Sequence, residues 1–438
     1  MPDEIIDISF DNEDKKPQQD KDRLVIDFDD DAQNESVEEK IEEKTQERAE
    51  EKAEDPIKPV VSLEEQVKEL KVDSFYRASP TLSNYYSSEI KFPEGIEISY
   101  HENSMTDLKD TFLNSILESN KYLIVSSSGG SVYAVDRFTK KIKRRLSFNN
   151  EAFEKTGLVY ENKMIINSIR SIYGISENDI ETGNTPSASY TSNAGYYIWS
   201  SLNREKNVVV FLEYSPESKS GNIVLINGVN VSVLFMQNFE VRNYLNHLVC
   251  LLNGKAFFIA DNILYIMDLS LNNLQEIKLN AEFNENSEIF ADGNKLYLTS
   301  DDGKIYFLEN GTGELKYTGI CETYINSCAA FEGNIFIGTE SGWKYYNAGG
   351  ALVYSHDDIE ENKIEAVSKN MLIVSRKNKV IFHNLVRFQE AEGFVIKNED
   401  DTRGQEIFSA VISYNEIYVL TKDGILSSFV NDMLNIHI

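Results

Sequence analysis

The sequence holds little of what builds stapled, membrane-spanning or metal-dependent proteins. It has three cysteines, Cys250, Cys321 and Cys328, so they cannot all pair, and none has metal-type spacing. They sit in or beside apolar strand patterns and read as buried free thiols, which fits a reducing compartment such as the cytoplasm. The five histidines, His101, His247, His356, His383 and His437, are scattered, with no two at metal-ligand spacing. His356-Asp357-Asp358 reads as the end of an outer strand on a solvated face. No apolar run reaches the roughly 18 residues that span a bilayer. The N-terminal MPDEIIDISFDNED lacks the basic and apolar regions of a secretory signal. There is no G-x-S-x-G elbow, Walker loop or dinucleotide fingerprint, and Gly129-Gly130 and Gly349-Gly350 stand at hairpin positions. Positive charge is scarce too: 43 basic against 72 acidic residues leave a formal charge of -29. The first 72 residues carry 25 acidic and 11 basic side chains, so the tail and the rest are both acidic. That argues against general binding to nucleic acid or anionic membrane.

What the chain does contain is a repeat. Gly293 to Tyr317, GNKLYLTSDDGKIYFLENGTGELKY, holds two short strands of period two around Asp302-Gly303, and a third strand begins at Leu315. One such meander cannot bury both faces. Further copies are anchored at Asn120, Asn162, Asn207, Gly254, Gly333, Asn370 and Asn415. The mean step is about 42 residues, in the range of four-stranded propeller blades. FLNSILESNKYLIV, YINSCAAFEGNIFI and IFSAVISYNEIYVL align without gaps and place a small, apolar inner strand before the hairpin. KIKRRLSF and GALVYSH supply outer strands. The expectation is an all-β, eight-bladed β-propeller of four-stranded antiparallel blades over residues 112–438, with seven blades as the alternative. Length alone would suggest two or three domains. Trp199 and Trp343 fall in strand patterns and read as core or inter-blade packing.

Residues 1–72 bury too little apolar surface to offset ordering and read as a disordered acidic tail. Glu38 to Asp55 favours an isolated helix that Pro56 and Pro59 end. Ser62 to Val72 is better patterned, with a Ser62–Glu65 capping box and Leu63, Val67 and Leu70 on one face. Residues 73–111 connect tail and propeller. Within them GIEISYHE, with Ile96, Ile98 and Tyr100 alternating, is one candidate for the strand that completes the last blade. The C-terminal MLNIHI is the other. Two tail segments resemble each other: Ile5 to Asp11 and Leu24 to Asp30. Each is a β-prone apolar cluster running into carboxylates. Ile6, Ile8 and Phe10, with Leu24, Ile26 and Phe28, are candidate partner-binding residues that would add as a strand to a partner's sheet edge.

Tyr133-Ala134-Val135-Asp136-Arg137-Phe138-Thr139-Lys140-Lys141 and Tyr306-Phe307-Leu308-Glu309-Asn310-Gly311-Thr312-Gly313-Glu314 resemble the repeat of pyrroloquinoline-quinone-type (PQQ-like) propellers. That repeat reads roughly Leu-Tyr-Ala-Leu-Asp, two residues, Thr-Gly, three residues, Trp. Here Lys140 replaces the glycine, and Arg145 and Tyr317 stand near the place of the docking tryptophan. The resemblance implies the fold and sits closest to the family's non-enzymatic branch. No catalytic, metal or cofactor-binding residue, and so no quinone or calcium site, is expected. The reading is a cytoplasmic, non-catalytic interaction platform, a monomeric propeller binding one protein partner while the tail recruits another. The rival is an enzyme holding a quinone or sugar in the central funnel.

Overall fold

The computed structural model describes residues 100–431, apart from 149–150, 312, 370, 386–388, 396–405 and 414–415. They form eight small antiparallel sheets in a ring, an eight-bladed β-propeller. Blade 1 has β2 (Leu117–Glu118), β3 (Tyr122–Ser126), β4 (Ser131–Asp136) and β5 (Ile142–Ser147). Blade 2 has β6 (Leu158–Tyr160), β7 (Lys163–Asn167), β8 (Ser171–Ile175) and β9 (Tyr190–Thr191). In blade 3 the innermost strand is broken into β10 (Tyr197–Ile198) and β11 (Asn203–Glu205), followed by β12 (Val208–Ser215), β13 (Ser220–Asn227) and β14 (Val233–Glu240). Blade 4 has β15 (Cys250–Leu252), β16 (Lys255–Ala260), β17 (Ile263–Asp268) and β18 (Asn273–Lys278). Blade 5 has β19 (Ile289–Asp292), β20 (Lys295–Thr299), β21 (Lys304–Glu309) and β22 (Lys316–Cys321). Blade 6 has β23 (Ser327–Phe331), β24 (Asn334–Thr339), β25 (Gly342–Tyr346) and β26 (Leu352–Asp357). Blade 7 has β27 (Lys363–Val367), β28 (Met371–Arg376), β29 (Lys379–Asn384) and β30 (Gln389–Val395). Blade 8 combines β31 (Ile407–Ser413), β32 (Glu416–Thr421) and β33 (Ile425–Asn431) with β1 (Tyr100–Asp107) from the other end of the chain.

The six repeat anchors among the described residues, Asn120, Asn162, Asn207, Gly254, Gly293 and Gly333, fall in the turn between a blade's innermost and second strands. Several of these turns place two consecutive residues at positive φ, as in Asn253-Gly254 (52° and 76°) and Glu332-Gly333 (50° and 78°), which is what a two-residue hairpin requires. At Gly303 the constraint is steric as well. A Cβ there would lie 1.6 Å from the Glu322 carbonyl oxygen, at a φ of +76°.

The middle strands are apolar on both faces because each blade is sandwiched between two others. In β12, Val209 and Phe211 join the cluster with blade 2, whereas Val210 and Leu212 join the cluster with blade 4. Every seam of the ring is filled in this way, the last by Leu123, Val125, Tyr133 and Val135 of blade 1 against Val411, Tyr418, Leu420 and Leu426 of blade 8. Each fully buried Leu, Ile or Phe contributes about 1.5–3 kcal/mol, so no blade is stable without its neighbours.

The strand that closes the ring corrects the sequence reading. β1 pairs with β33 from Tyr100↔Asn431 to Asp107↔Ile425. GIEISYHE contributes only its last three residues to β1. Residues 95–99 and the whole of MLNIHI lie outside the described residues, as do the Ser62–Val72 helix and the remaining tail segments. Polar contacts reinforce the same seam. Arg137 donates to the Ser119 carbonyl (2.8 Å) and to Ser413 Oγ (2.7 Å). Lys140 pairs with Glu416 and donates to the Tyr418 hydroxyl (2.9 Å). Lys140 occupies the motif's glycine position with a φ of +57°. The backbone thus keeps the left-handed turn that glycine serves elsewhere, while the side chain ties blade 1 to blade 8.

Two further features depart from expectation. Cys321 is exposed, although Cys250 and Cys328 are buried, and all three are free thiols. The end of β22 turns its side chain outward, a choice of face that the sequence pattern did not fix. A short helix, α1 (Glu177–Thr182), stands between β8 and β9, capped by a Ser176–Asp179 box and buried through Ile180. Trp199 and Trp343 are inter-blade residues as expected: Trp199 Nε1 donates to the Leu245 carbonyl (2.7 Å), and Trp343 Nε1 to His383 Nε2 (3.2 Å).

Ser104 and Ser428 face each other across the closing pair, with hydroxyls 2.9 Å apart. Replacing both by cysteine should give a disulfide under mild oxidation that stabilises the ring by roughly 3–5 kcal/mol, since it closes almost the whole chain into one loop. Non-reducing electrophoresis and thermal melting check this. A pair that fails to oxidise, or an oxidised protein that melts like the reduced one, would contradict β1 as the closing strand.

Candidate interaction face

Strand alternation sorts the loops of the ring into two ends. The turns between second and third strands, and the connections from each outermost strand to the next blade, gather at one end, here called the upper face. The remaining turns form the lower face, where β1 begins and β33 ends. The upper connections are stapled to one another by side-chain donors. Asn114 Nδ2 reaches the Phe153 carbonyl (3.0 Å), Asn246 Nδ2 the Ser287 carbonyl (2.6 Å) and Asn326 Nδ2 the Asn362 carbonyl (2.9 Å). Each bond links one connection to the next, at three of the seams.

The upper face is acidic. Its loops carry Asp110, Glu151 and Glu154, Glu282 and Glu285, Asp301-Asp302, Glu340, and the run Asp357-Asp358-Ile359-Glu360-Glu361. The lower-face turns mix signs, with Lys121, Lys140, Lys141 and Lys206 beside Glu161, Glu177 and Glu181. Around blades 6 to 8, four upper cations among the described residues pair with neighbouring carboxylates. Arg376 pairs with Asp358, Lys377 with Glu360 (2.6 Å), Lys363 with Glu365 (3.0 Å) and Lys422 with Glu406 (2.7 Å). Burial pushes the Asp358 carboxyl up, but Arg376 and the Ile359 amide outweigh it and hold it below the usual range. Among the described residues Glu361 accepts from a neutral donor, Asn326 Nδ2 (2.9 Å). Where blades 7 and 8 meet, Glu361, Lys363, Ser375, Lys377, Asn378, Glu406 and Ile407 line a cleft of about 400 Å³. Beside it Ile359 is 97% exposed, and Tyr324, Tyr197 and Leu113 are also solvent-facing on other upper connections.

Of the sequence-derived site residues, Ile6, Ile8, Phe10, Leu24, Ile26 and Phe28 lie outside the described residues. The histidines correct the reading that His356 simply faces solvent. His356 on β26 packs against Trp343 and against His383 on β29, with the imidazole centroids 5.1 Å apart. Blade-to-blade adjacency, which no linear spacing reveals, brings them together. Among the described residues no group of three or more His, Cys, Asp or Glu side chains is placed to hold a metal ion, and no helix is long and apolar enough to cross a membrane. Sequence reading missed the cleft, though the Asp357–Glu361 run with isoleucine at its centre was its visible signal.

His383 is 2% exposed, and its imidazole is pushed down to about 3, first by burial and then by His356, Arg376 and Lys379. Its folded pKa lies below its unfolded value of about 6.5. Stability is therefore complete above pH 6.5 and lost as pH falls from there toward 3. Between pH 7.5 and 5 the wild type should lose about 2 kcal/mol more than a His383→Gln variant. Urea unfolding at both pH values measures the difference, and equal losses would show that His383 does not stay neutral in the fold.

No family model matches the chain, and no curated protein is similar to it in sequence. Solved structures do resemble it. BamB from Moraxella catarrhalis superposes with a TM-score of 0.57 at 12% identity, covering 76% of this chain and 100% of that one. Sqt1 from Saccharomyces cerevisiae gives 0.59 at 11% identity, over 76% and 99%. The computationally designed Ika8 protein gives 0.58 at 14% identity, over 74% and 97%. At such identities the likeness is one of fold.

Proposed function

We propose that this chain is a non-catalytic protein-interaction platform of the cytoplasm. The acidic upper face docks one partner, and the N-terminal tail recruits another. The observation that carries the reading is the upper face around blades 6 to 8. Among the described residues there, Arg376 and Lys377 pair with carboxylates, Glu361 accepts from a neutral amide and Ile359 is 97% exposed. A partner segment that fits carries lysine or arginine around an apolar residue, the charge steering encounter and the apolar contact slowing release. The tail segments fit a different mode, strand addition through Ile6, Ile8 and Phe10 or Leu24, Ile26 and Phe28. Two copies on one tail raise the effective concentration for a multisite partner. The PQQ-like resemblance, on its non-enzymatic branch, agrees with this use of the ring. The rival reading, an enzyme for a quinone or sugar, is favoured by the cleft volume, which lies within the range of small-molecule pockets.

Affinity capture from native extract with the full chain separates these readings. Ile359→Asp combined with Glu361→Lys should weaken the propeller's partner at least tenfold, about 1.4 kcal/mol, and raised salt should weaken it in the wild type. Phe10→Asp with Phe28→Asp should remove a different partner, while either change alone only weakens it and thermal melting stays put. If both variants recover every protein that wild type does, the platform reading fails. Saturable binding of pyrroloquinoline quinone with calcium, measured by titration calorimetry, would favour the enzyme instead.

A further inference from the structure

The outermost strands of a propeller are open edges, and an open edge invites another strand unless something guards it. Most of the edges here are guarded. β5 presents Lys143, Arg144 and Arg145, and β18 carries Glu276 and Lys278, while β9 is only two residues long. Blades 3 and 6 are less guarded: β26 exposes Leu352 and Val353 and carries only Asp357, and blade 3 has the longer strand and the longer uncharged stretch. From Ser220 to Phe239 the sequence runs twenty residues without a charge, in a chain that is 26% charged. These residues are β13, its turn and nearly all of β14. β14 is eight residues long and pairs with β13 alone, so among the described residues its outer edge has no partner.

The side chains agree with the backbone. A bulge sets Leu225 opposite Phe235 and Ile226 opposite Val233, leaving Leu234 as the extra residue. Val233 and Leu234 are consequently both about half exposed, and Val229 in the preceding turn is 60% exposed. Beyond the bulge, Phe235 to Glu240 keeps a regular ladder with β13. Phe239 anchors it, packing on Phe258 and Tyr265 of blade 4 with centroids 4.9 and 5.0 Å away.

We propose that β14 is a self-association surface, at which a second copy of this chain adds edge to edge and antiparallel to form a two-fold dimer. Two observations select a second copy. The strand is self-complementary: a two-fold axis at Gln237 sets Gln237 beside its copy, Met236 opposite Asn238 and Phe235 opposite Phe239, so that no like charges meet. The chain also has a formal charge of -29, so two copies repel across most of their surfaces and approach most easily where charge is absent. A dimer built this way replaces the monomer expected from sequence. It leaves the upper faces of both rings open, and it stands or falls independently of the platform reading.

Sedimentation equilibrium of the full chain across a wide concentration range tests the proposal. The expected mass is twice 49.9 kDa. Gln237→Lys, a guard of the kind β5 and β18 carry, should return the single-chain mass with an unchanged thermal melt. Gln237→Cys, placed on the axis, should cross-link to a covalent dimer under mild oxidation. A wild type that sediments as a single chain throughout overturns the proposal, including the case in which β14 captures a foreign strand instead. A dimer that survives Gln237→Lys, or that Gln237→Cys does not cross-link, uses another surface and overturns it as well.

Discussion

The structure depends on one strand pair, β1 with β33, joining residues more than three hundred positions apart. A blade in the ring buries both sheet faces against its neighbours, so an open ring would expose two apolar faces at the break. Leu123, Val125 and Tyr133 on one side and Val411, Tyr418 and Leu420 on the other would meet water together. The closing pair prevents this by making the last blade from both ends of the described chain. The Lys140–Glu416 pair and the Arg137–Ser413 bond then fix the orientation of the two blades. Taking Lys140 out of water costs energy: burial pulls its pKa down, and Glu416 opposes that pull. The net worth of such a pair lies more in specifying a unique seam than in bulk stability.

The repeat was legible because hairpin chemistry is local. A turn needing two residues at positive φ selects asparagine and glycine whatever surrounds it, so each anchor marked its turn. The double-sided apolar strands were legible for a similar reason, as in Val208 to Leu212. Outermost strands were legible in part, as in KIKRRLSF (β5) and GALVYSH (β26), but the closing strand resisted because half of it faces solvent. β1, Tyr100–Asp107, reads YHENSMTD and has no apolar alternation to betray it, whereas the more strand-like Ile96–Tyr100 drew attention. Cys321 at the end of β22 failed for the same cause: in an outermost strand, the face a residue takes is set by the register with the strand inside it. α1 had a local signal, the Ser176–Asp179 capping box, but it was embedded in a segment whose repeat pattern pointed to strand.

The candidate site was less legible than the fold, and the reason is geometric. Glu361 and Glu406 are forty-five residues apart in sequence, yet they line one cleft, because adjacent blades bring equivalent positions together. His356 and His383 meet for the same reason, each on a different blade. In a ring of repeats, chemistry assembles across seams at spacings near the repeat length, not at the short spacings of linear motifs. A tyrosine–carboxylate contact instead recurs within blades. Tyr133 donates to Asp110 (3.0 Å) and Tyr173 to Glu151 (2.8 Å), in each case from a third strand to the connection that enters its own blade.

Charge then divides labour around the ring. The upper connections can carry carboxylates because side-chain amides such as Asn114, Asn246 and Asn326 hold their backbone, joined around blades 6 and 7 by ion pairs such as Lys377–Glu360. Their charge is therefore free to act at a distance, over a Debye length of about 8 Å at physiological salt. The rim of blade 3 is the opposite case. Its hairpin carries no charge of its own, and among the described residues the outer edge of β14 has no strand partner, beside the exposed side chains of Val229, Val233 and Leu234. A steering surface suits a partner that arrives quickly and leaves, whereas main-chain pairing at an edge suits one that stays. Placing the two on different parts of the ring lets both be occupied at once, which is what a platform needs.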